Sequence, residues 1–257
     1  MEALPLRCKV PSAWHRWWLA CLLVTAVVFP LQAQGELLRD DPQQLGWEEL
    51  STSYRVFYQQ KQYERAWVLA QEALRLAEQY FGPDHPYVAQ TLNDLGYLCQ
   101  QQGKIQQAEM LHQRALAIRE NMTETFGVDK QAAVVQSLSN VAKLYQLQGR
   151  YADAEPLLRR VLDLLQQRTG PNHPSIAATL YYLAQGAQAQ DHLEDAQTLL
   201  QQAVAILDRY PQARYPDSVQ VLETYAAVLR KRNRFQEAQM IAKKAETLRS
   251  LRRLTED

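Results

Sequence analysis

The sequence predicts an all-α fold in which about five helical hairpins stack one on the next. Strong helix formers (Ala, Leu, Gln, Glu and Arg) are abundant in the 257-residue chain, which contains only nine glycines. Small residues recur at a nearly constant step along the chain, and a short glycine–proline motif occurs twice. Composition, step and motif together indicate one helical building block that is used repeatedly.

Three columns of aligned residues define this repeat. Successive units lie about 42 residues apart, and only the step from the second to the third unit is slightly longer. Helices approach closely only where side chains are small, so the columns predict helix–helix contacts, with Tyr54 as the one large residue. The columns are Ala66, Ala108, Ala154, Ala196 and Ala238; Ala73, Ala115, Val161, Ala203 and Ala245; and Tyr54, Gly96, Ala142, Ala184 and Ala226.

Residues 1–33 differ in composition from the rest of the chain. Arg7, Lys9 and Arg16 give a basic start, and an uncharged, mostly apolar run, "WWLACLLVTAVVFPL", follows. This pattern predicts a secretory signal cleaved after Ala33, and therefore an exported protein, periplasmic or secreted. The alternative is that residues 1–33 stay attached as an N-terminal membrane anchor. Residues 34–44 are predicted to be a linker.

Each repeat is predicted to form two helices joined by a short turn. The first helix carries apolar residues at helical spacing, as in Leu92, Leu95 and Cys99, and Cys99 is expected to lie in the core. The turn contains a residue suited to positive φ at a helix end: Gly103, Gly149, Asp191 or Asn233. The repeat region covers residues 45–257, with repeats at about 45–86, 87–130, 131–174, 175–216 and 217–250.

The motif "GPDHP" at 82–86 returns as "GPNHP" at 170–174. We expect Gly82 and Gly170 to end one helix and the following prolines to prevent its continuation. Asp84 and Asn172 are then candidate N-caps of the next helix, which would begin at the last proline of each motif.

His85 and His173 occupy matching frames of this motif, which raises the question of a paired metal site. The two residues are separated by two full repeats and should lie far apart in a stacked array. A structural role in the connection between repeats is therefore the favoured interpretation, and no metal or other cofactor is predicted.

The repeat resembles the tetratricopeptide repeat, in the 42-residue version found in kinesin light chains and many bacterial relatives. The resemblance is carried by "TLNDLGYLCQQQGKIQQAEMLHQRALAIRE" and "GRYADAEPLLRRVLDLLQQRTGPNHP" and covers residues 45–250. It implies a right-handed superhelical solenoid whose first helices line a concave groove. In this family such a groove holds a peptide segment of a partner protein.

No catalytic motif is evident in the sequence. Motifs of the HExxH, GxSxG, phosphate-loop and DxDxDG types are missing from the chain. Basic and acidic residues balance at 28 each, so nothing indicates a nucleic-acid partner. We therefore predict a protein that is not an enzyme and that contacts a membrane only through residues 1–33, if these are uncleaved.

The repeat frame predicts which side chains face the groove. They are mostly amides and tyrosines, which suit contact with the backbone of an extended peptide. The candidate peptide-binding residues are Asn93, Tyr97, Gln100, Ser139, Lys143, Gln146, Tyr181, Gln185, Gln188 and Arg230, with Tyr58, Gln220 and Glu223 on the same face.

Two functions remain open from the sequence. The first is a scaffold or assembly adaptor that binds a protein or peptide partner in the groove. The second is a structural subunit of a cell-envelope complex, tethered by its N-terminal hydrophobic segment. The basic stretch "RKRNR" at 230–234 is interpreted as a polar cap on the end of the array, with an anionic partner site as the alternative.

Overall fold

The computed structural model describes residues 42–123, 127–210 and 218–253. The predicted signal or anchor at 1–33, with Cys8 and Cys21, lies outside the described residues, as does most of the predicted linker. Contacts divide the chain into residues 1–49 and residues 50–257, and the packing described below is that of residues 50–257.

Ten helices are present in the described residues. The first begins at Pro42, inside the predicted linker. Numbered in chain order, they are α1 (Pro42–Gln59), α2 (Tyr63–Phe81), α3 (Pro86–Gln101), α4 (Ile105–Asn121), α5 (Lys130–Leu147), α6 (Tyr151–Thr169), α7 (Pro174–Ala189), α8 (Leu193–Asp208), α9 (Ser218–Lys231) and α10 (Phe235–Arg253).

Helices that are neighbours in the sequence are also neighbours in space. The hairpins α3–α4, α5–α6, α7–α8 and α9–α10 each pack internally, and the second helix of one hairpin packs against the first helix of the next. The first helices α7 and α9 also contact each other directly. No strand occurs in residues 42–123, 127–210 and 218–253, so the predicted all-α stack of hairpins is confirmed.

The three columns of small residues form the contact surfaces between helices. Ala66, Ala108, Ala154, Ala196 and Ala238 are at most 1% exposed. The other two columns are buried as well, including Tyr54, Gly96 and Val161. The alignment from which the repeats were predicted is therefore the true packing register.

The turn within each hairpin uses one residue with positive φ. Gly103, Gly149, Asp191 and Asn233 have φ between 61° and 74°, as predicted. The first hairpin uses Lys61, with φ of 60°, at the equivalent position. Nothing in the sequence marks this residue, because lysine has no preference for positive φ.

The connections between hairpins explain the repeated motif. Gly82 and Gly170 have φ of 89° and 80° with ψ of 162° and 164°, a backbone region that is almost restricted to glycine. Helices α3 and α7 begin at the last proline of each motif, as expected.

The predicted N-caps Asp84 and Asn172 are wrong by one residue. His85 and His173 are the N-caps, and their Nδ1 atoms accept hydrogen bonds from the backbone N–H groups of Tyr87 (3.2 Å) and Ser175 (3.3 Å). The imidazole nitrogen reaches the amide two residues on, as a shorter acceptor side chain would. These two histidines therefore have the structural role that the motif predicted.

The apolar core of the described residues is divided into several clusters along the stack. The largest buried cluster involves helices α5 to α10, with Leu138, Leu180, Leu200 and Leu229 among its members. A smaller cluster contains Cys99 with Ala108 and Leu144, so the expectation that Cys99 is a core residue is confirmed.

Candidate functional site

Two pockets open between the first helices of successive hairpins. The larger, here called the lysine pocket, lies between α5, α7 and α9 and encloses about 470 Å³. Among the described residues that line it, two are lysines, three are glutamines and none is a carboxylate. The polar side chains include Lys143, Gln146, Gln185, Gln188 and Lys231.

The smaller pocket, here called the tyrosine pocket, lies between α1 and α3 and encloses about 220 Å³. Tyr54, Tyr58 and Tyr97 line it together with Arg55, Asp94 and Leu98. Its accessible surface is predominantly apolar, because it consists mainly of ring faces and an aliphatic side chain. The pocket is large enough for one ring-sized side chain, since a cavity of about 150 Å³ can hold benzene.

Hydrogen bonds within the protein fix the walls of the tyrosine pocket. The Tyr54 hydroxyl donates to Asp94 Oδ2 at 2.6 Å, and Arg55 Nη2 pairs with the same oxygen at 3.1 Å. The Tyr97 hydroxyl donates to Asn140 Oδ1 at 2.6 Å. Burial, and then the negative charge of Asp94, raise the pKa of Tyr54 and Tyr97, so both hydroxyls stay protonated donors.

The structure brings together some of the predicted groove residues and separates others. Lys143, Gln146, Gln185 and Gln188 all line the lysine pocket, whereas Tyr58 and Tyr97 line the tyrosine pocket. Ser139 is half-buried and donates its hydroxyl to the backbone oxygen of Val135 at 2.7 Å. Exposed positions on α9, outside both pockets, are held by Gln220, Glu223 and Arg230.

The expectation that Asn93 faces an open groove is wrong. Its side chain is 3% exposed and lies in a buried polar network between the second and third hairpins. Asn93 Oδ1 accepts hydrogen bonds from Asn140 Nδ2 (3.2 Å) and from His112 Nδ1 (2.9 Å), and Asn93 Nδ2 donates to Ser137 Oγ (3.4 Å). Adjacent first helices are close enough here for Asn93 to be enclosed between them.

His112 lies at the centre of this network and is fully buried. With Nδ1 donating to Asn93, its Nε2 accepts from the side-chain amide of Gln100 at 3.1 Å, which describes a neutral imidazole. Burial, and then the positive charge of Arg119, lower the pKa of His112 to about 4. The side-chain amide of Gln100, a predicted groove residue, is therefore hydrogen-bonded to the buried His112.

Arg119 completes the network at the end of α4. It is 7% exposed, and its Nη1 atom donates to the backbone oxygen of Ala133, to Gln136 Oε1 and to Ser137 Oγ at 3.0–3.1 Å. Burial lowers the pKa of this guanidinium, and Asp94 partly offsets that effect. A buried charge of this kind is stable only because neutral oxygens on the next hairpin solvate it.

Tyr181 also departs from its predicted position. Its side chain is 6% exposed and belongs to the apolar core of the stack, although its hydroxyl accepts a hydrogen bond from Gln185 Nε2 at 2.7 Å. The neighbouring Tyr182, which sequence reasoning did not select, lines the lysine pocket instead. Its backbone oxygen accepts from Gln146 Nε2 at 2.7 Å, which fixes that glutamine at the pocket wall.

Lys231 is the most consequential residue that sequence reasoning missed. The fifth repeat aligns with an offset of one residue at its start, and Arg230 was selected from this helix end instead. The structure places Lys231, from α9, at the lysine pocket together with Lys143 from α5. Two cations from hairpins that are two repeats apart in the sequence therefore face one cavity.

Comparisons with known proteins agree with this architecture. The family profile described as tetratricopeptide repeat matches residues 54–121 and 133–209, which is more than half of the chain. A comparison with curated protein sequences gives no match.

Several solved structures share the fold. BtubC (BKLC) from P. vanneervenii is 22% identical, with a TM-score of 0.71, over 86% of this chain and 87% of that one. A kinesin light chain-type protein of Podosopora anserina with nearly identical TPR-like repeats is 22% identical, with a TM-score of 0.65, over 82% and 97% of the two chains. MamA (residues 41 to the end) from Desulfovibrio magneticus RS-1 is 15% identical, with a TM-score of 0.58, over 80% and 96%.

Three findings agree on the same hairpins. The family profile matches them, their small-residue columns are buried, and solved structures with kinesin light chain-type repeats resemble them. The protein is an all-α, right-handed superhelical solenoid, and the chain belongs to the tetratricopeptide repeat family.

Proposed function

We propose that this protein is a non-enzymatic binding module, a scaffold or assembly adaptor, that holds an extended segment of a partner protein along its first helices. Tetratricopeptide repeat proteins are protein-interaction modules, which sets the class of function. The observation that supports the groove is that both pockets lie between first helices and that their walls are fixed before any partner binds.

Preformed walls favour binding, because the pocket side chains lose little conformational entropy when the partner segment binds. Tyr54, Tyr97 and Gln146 are each held by a hydrogen bond to the next hairpin. Gln188 lines the lysine pocket, and among the described residues its amide has no hydrogen-bond partner, so it is available to a peptide backbone. Tyrosine and amide walls of this kind suit extended peptide chains.

Peptide selection tests this proposal. A display library of random short peptides would be selected on the immobilised full-length chain, and the selected peptides measured against the variant Tyr58→Ala/Lys143→Ala/Gln188→Ala. These three side chains line the pockets without core hydrogen bonds, so we expect the helical circular dichroism to persist and affinity to fall about tenfold or more.

The matched control lies on the second helices. Val68, Met110 and Met240 are 64–70% exposed and line neither pocket, so Val68→Ala/Met110→Ala/Met240→Ala should bind the same peptides with unchanged affinity. The groove proposal would be overturned if both variants lost the same affinity for the peptides. It would also be overturned if the selected peptides bound the Tyr58→Ala/Lys143→Ala/Gln188→Ala variant with unchanged affinity.

The alternative function, a tethered structural subunit of an envelope complex, depends on the apolar run at 17–31. No helix in residues 42–123, 127–210 and 218–253 is long and apolar enough to cross a membrane. The two functions differ in what they require: the adaptor needs the pockets, whereas the tethered subunit needs residues 1–33 to remain attached.

A further inference from the structure

The junction between the second and third hairpins differs chemically from the other junctions of the stack. Where the second hairpin has His112, the first, third and fourth hairpins have buried apolar residues: Ala70, Leu158 and Leu200. A histidine is the side chain whose charge changes most readily near neutral pH. This one junction therefore contains a buried group that can respond to mild acid.

The hydrogen bonds of His112 suit a neutral ring. Its Nδ1 donates to Asn93 Oδ1 at 2.9 Å, and its Nε2 accepts from the amide of Gln100 at 3.1 Å. A second proton, on Nε2, would replace that hydrogen bond by two donors that face each other. The ring is also confined by α3, because even a Cβ atom at Gly96 would lie 2.6 Å from its Cε1.

The charged groups around the ring do not compensate a protonated imidazole. Asp94, on α3, is paired with Arg55, and Glu109, one turn before the ring on α4, is paired with Arg150. The charge that acts on the ring is that of Arg119, a cation two turns later on α4. Burial, and then this positive charge, lower the pKa of the imidazole to about 4 from an ordinary value near 6.5.

The groups that face the ring from across the junction, on α5, are neutral. Asn140 Nδ2 donates to Asn93 Oδ1 at 3.2 Å, and Asn93 Nδ2 donates to Ser137 Oγ at 3.4 Å. Tyr97, whose ring centre lies 5.3 Å from that of the imidazole, donates its hydroxyl to Asn140 Oδ1 at 2.6 Å. A hydrogen-bonded path therefore runs from His112 through Asn93 and Asn140 to a wall of the tyrosine pocket.

We propose that His112 makes the junction between the second and third hairpins a pH-sensitive switch, in which protonation of the imidazole separates α4 from α5 and releases Tyr97 from Asn140. A closed junction holds the ring neutral, because a second buried cation beside Arg119 would lack a counter-charge. An open junction exposes the ring to water, where it regains its ordinary pKa.

The direction of the effect follows from these two states. Between about pH 6.5 and pH 4 the proton binds to His112 in the open form and not in the closed form. The closed junction is therefore fully stable above this window and loses stability as the pH falls through it. The switch operates in the free protein, so it is independent of what the groove binds.

The thiol of Cys99 reports on this junction. Cys99 is 0% exposed and packs with Ala108 of α4 and Leu144 of α5, so separation of α5 exposes it. The full-length protein would be treated with a dithiodipyridine reagent, which reacts with thiols in mild acid. The labelling of Cys99 would be followed by peptide mass spectrometry at about pH 7 and about pH 5.

Two variants isolate the contribution of the imidazole. His112→Leu introduces the residue that the third and fourth hairpins carry at this position, and His112→Gln keeps a neutral side chain that can form hydrogen bonds. At each pH the same thiol is compared, so the ratio of labelling rates, wild type to variant, measures the opening. We expect this ratio to rise about tenfold or more between pH 7 and pH 5. His85, His173 and His192 are present in every protein compared, so their titration cancels.

A second thiol distinguishes opening of one junction from unfolding of the chain. Val228, on α9, is 0% exposed in the apolar core, and Val228→Cys would be labelled with and without His112→Leu. The wild-type to variant ratio at this thiol should stay constant with pH. A constant ratio at Cys99 would overturn the switch, and so would an equal rise at both thiols.

Discussion

At Gly96 the two helices of the second hairpin are separated by little more than one imidazole ring. A Cβ atom at this position would lie 2.6 Å from Cε1 and 2.7 Å from Nε2 of His112. The ring cannot move away easily, because both of its nitrogens are hydrogen-bonded within the buried network. Glycine is therefore required by the residue that it faces, and not by its backbone conformation.

Replacing Gly96 by Ala should lower the free energy of unfolding by about 1–3 kcal/mol, because the methyl group overpacks the site. The cost should largely disappear in the Gly96→Ala/His112→Ala background, which chemical denaturation of the single and double variants would measure. Gly186→Ala is the matched control, since its Cβ would meet no atom closer than 3.9 Å. An equal loss for both glycines would contradict this explanation.

Residue-scale prediction from sequence succeeded for the small apolar positions and only in part for the polar ones, since Lys143 and Gln188 line a pocket whereas Asn93 and Tyr181 are buried. Ala108 and Ala142 could be assigned to the core because alanine columns have one structural meaning. Asn93 and Tyr181 could not, because amides and tyrosines occur both in grooves and in buried networks. Which of these applies at Asn93 depends on His112 and Ser137, and no local pattern links those residues to it.

At the scale of the element, the glycines at helix ends fall into two classes. Gly82 and Gly170 combine positive φ with extended ψ, which side chains other than glycine's rarely tolerate. Gly103 and Gly149 occupy the turn position at which other hairpins have Lys61, Asp191 or Asn233. The junction between hairpins is therefore conformationally more demanding than the turn inside a hairpin.

This difference predicts contrasting substitutions. Gly82→Ala should lower the free energy of unfolding by about 1–3 kcal/mol, because alanine is strained in that backbone region. Gly103→Asn should change it by only about 0.5 kcal/mol or less, since asparagine adopts positive φ with little cost. Thermal unfolding followed by circular dichroism measures both. Similar losses in the two variants would show that the classes are not distinct.

At the two glycine–proline motifs, helix ends were predictable from sequence to within about one residue, whereas α1 begins at Pro42, inside the predicted linker. The glycine and proline positions of the "GPDHP" motif were correct, because these residues restrict the backbone directly. The caps were displaced to His85 and His173, since an imidazole at the N-cap competes with the Asp or Asn that precedes it. The positive φ of Lys61 was not predicted, because the hairpin imposes this conformation and lysine itself does not favour it.

At the scale of the whole molecule, the repeat architecture was predictable and the pocket charges were not. A constant step fixes how hairpins stack, so the all-α solenoid followed from the columns together with the helix-forming composition. The lysine pocket combines side chains of α5, α7 and α9, and Lys231 of α9 lines it together with Lys143 of α5. Three-dimensional placement across two repeats is information that a linear alignment does not contain.

Export remains a prediction at this scale and has a direct test. We expect the protein isolated from its own cells to begin at Gln34, since cleavage after Ala33 removes the basic start and the apolar run. Intact-mass measurement of the soluble and membrane fractions would show it. A full-length chain in the membrane fraction would instead support the tethered subunit.

The polar network between the second and third hairpins also limits where hairpins can be duplicated, lost or recombined during evolution. At the junctions after the first, third and fourth hairpins, alanine or leucine stands where the second hairpin has His112 and Arg119: Ala70 and Ala77, Leu158 and Leu165, and Leu200 and Leu207. Duplication or loss of hairpins at those junctions joins compatible apolar surfaces. Recombination between the second and third would leave the Arg119 cation buried without its acceptors on α5, so we expect these two hairpins to be inherited as a pair.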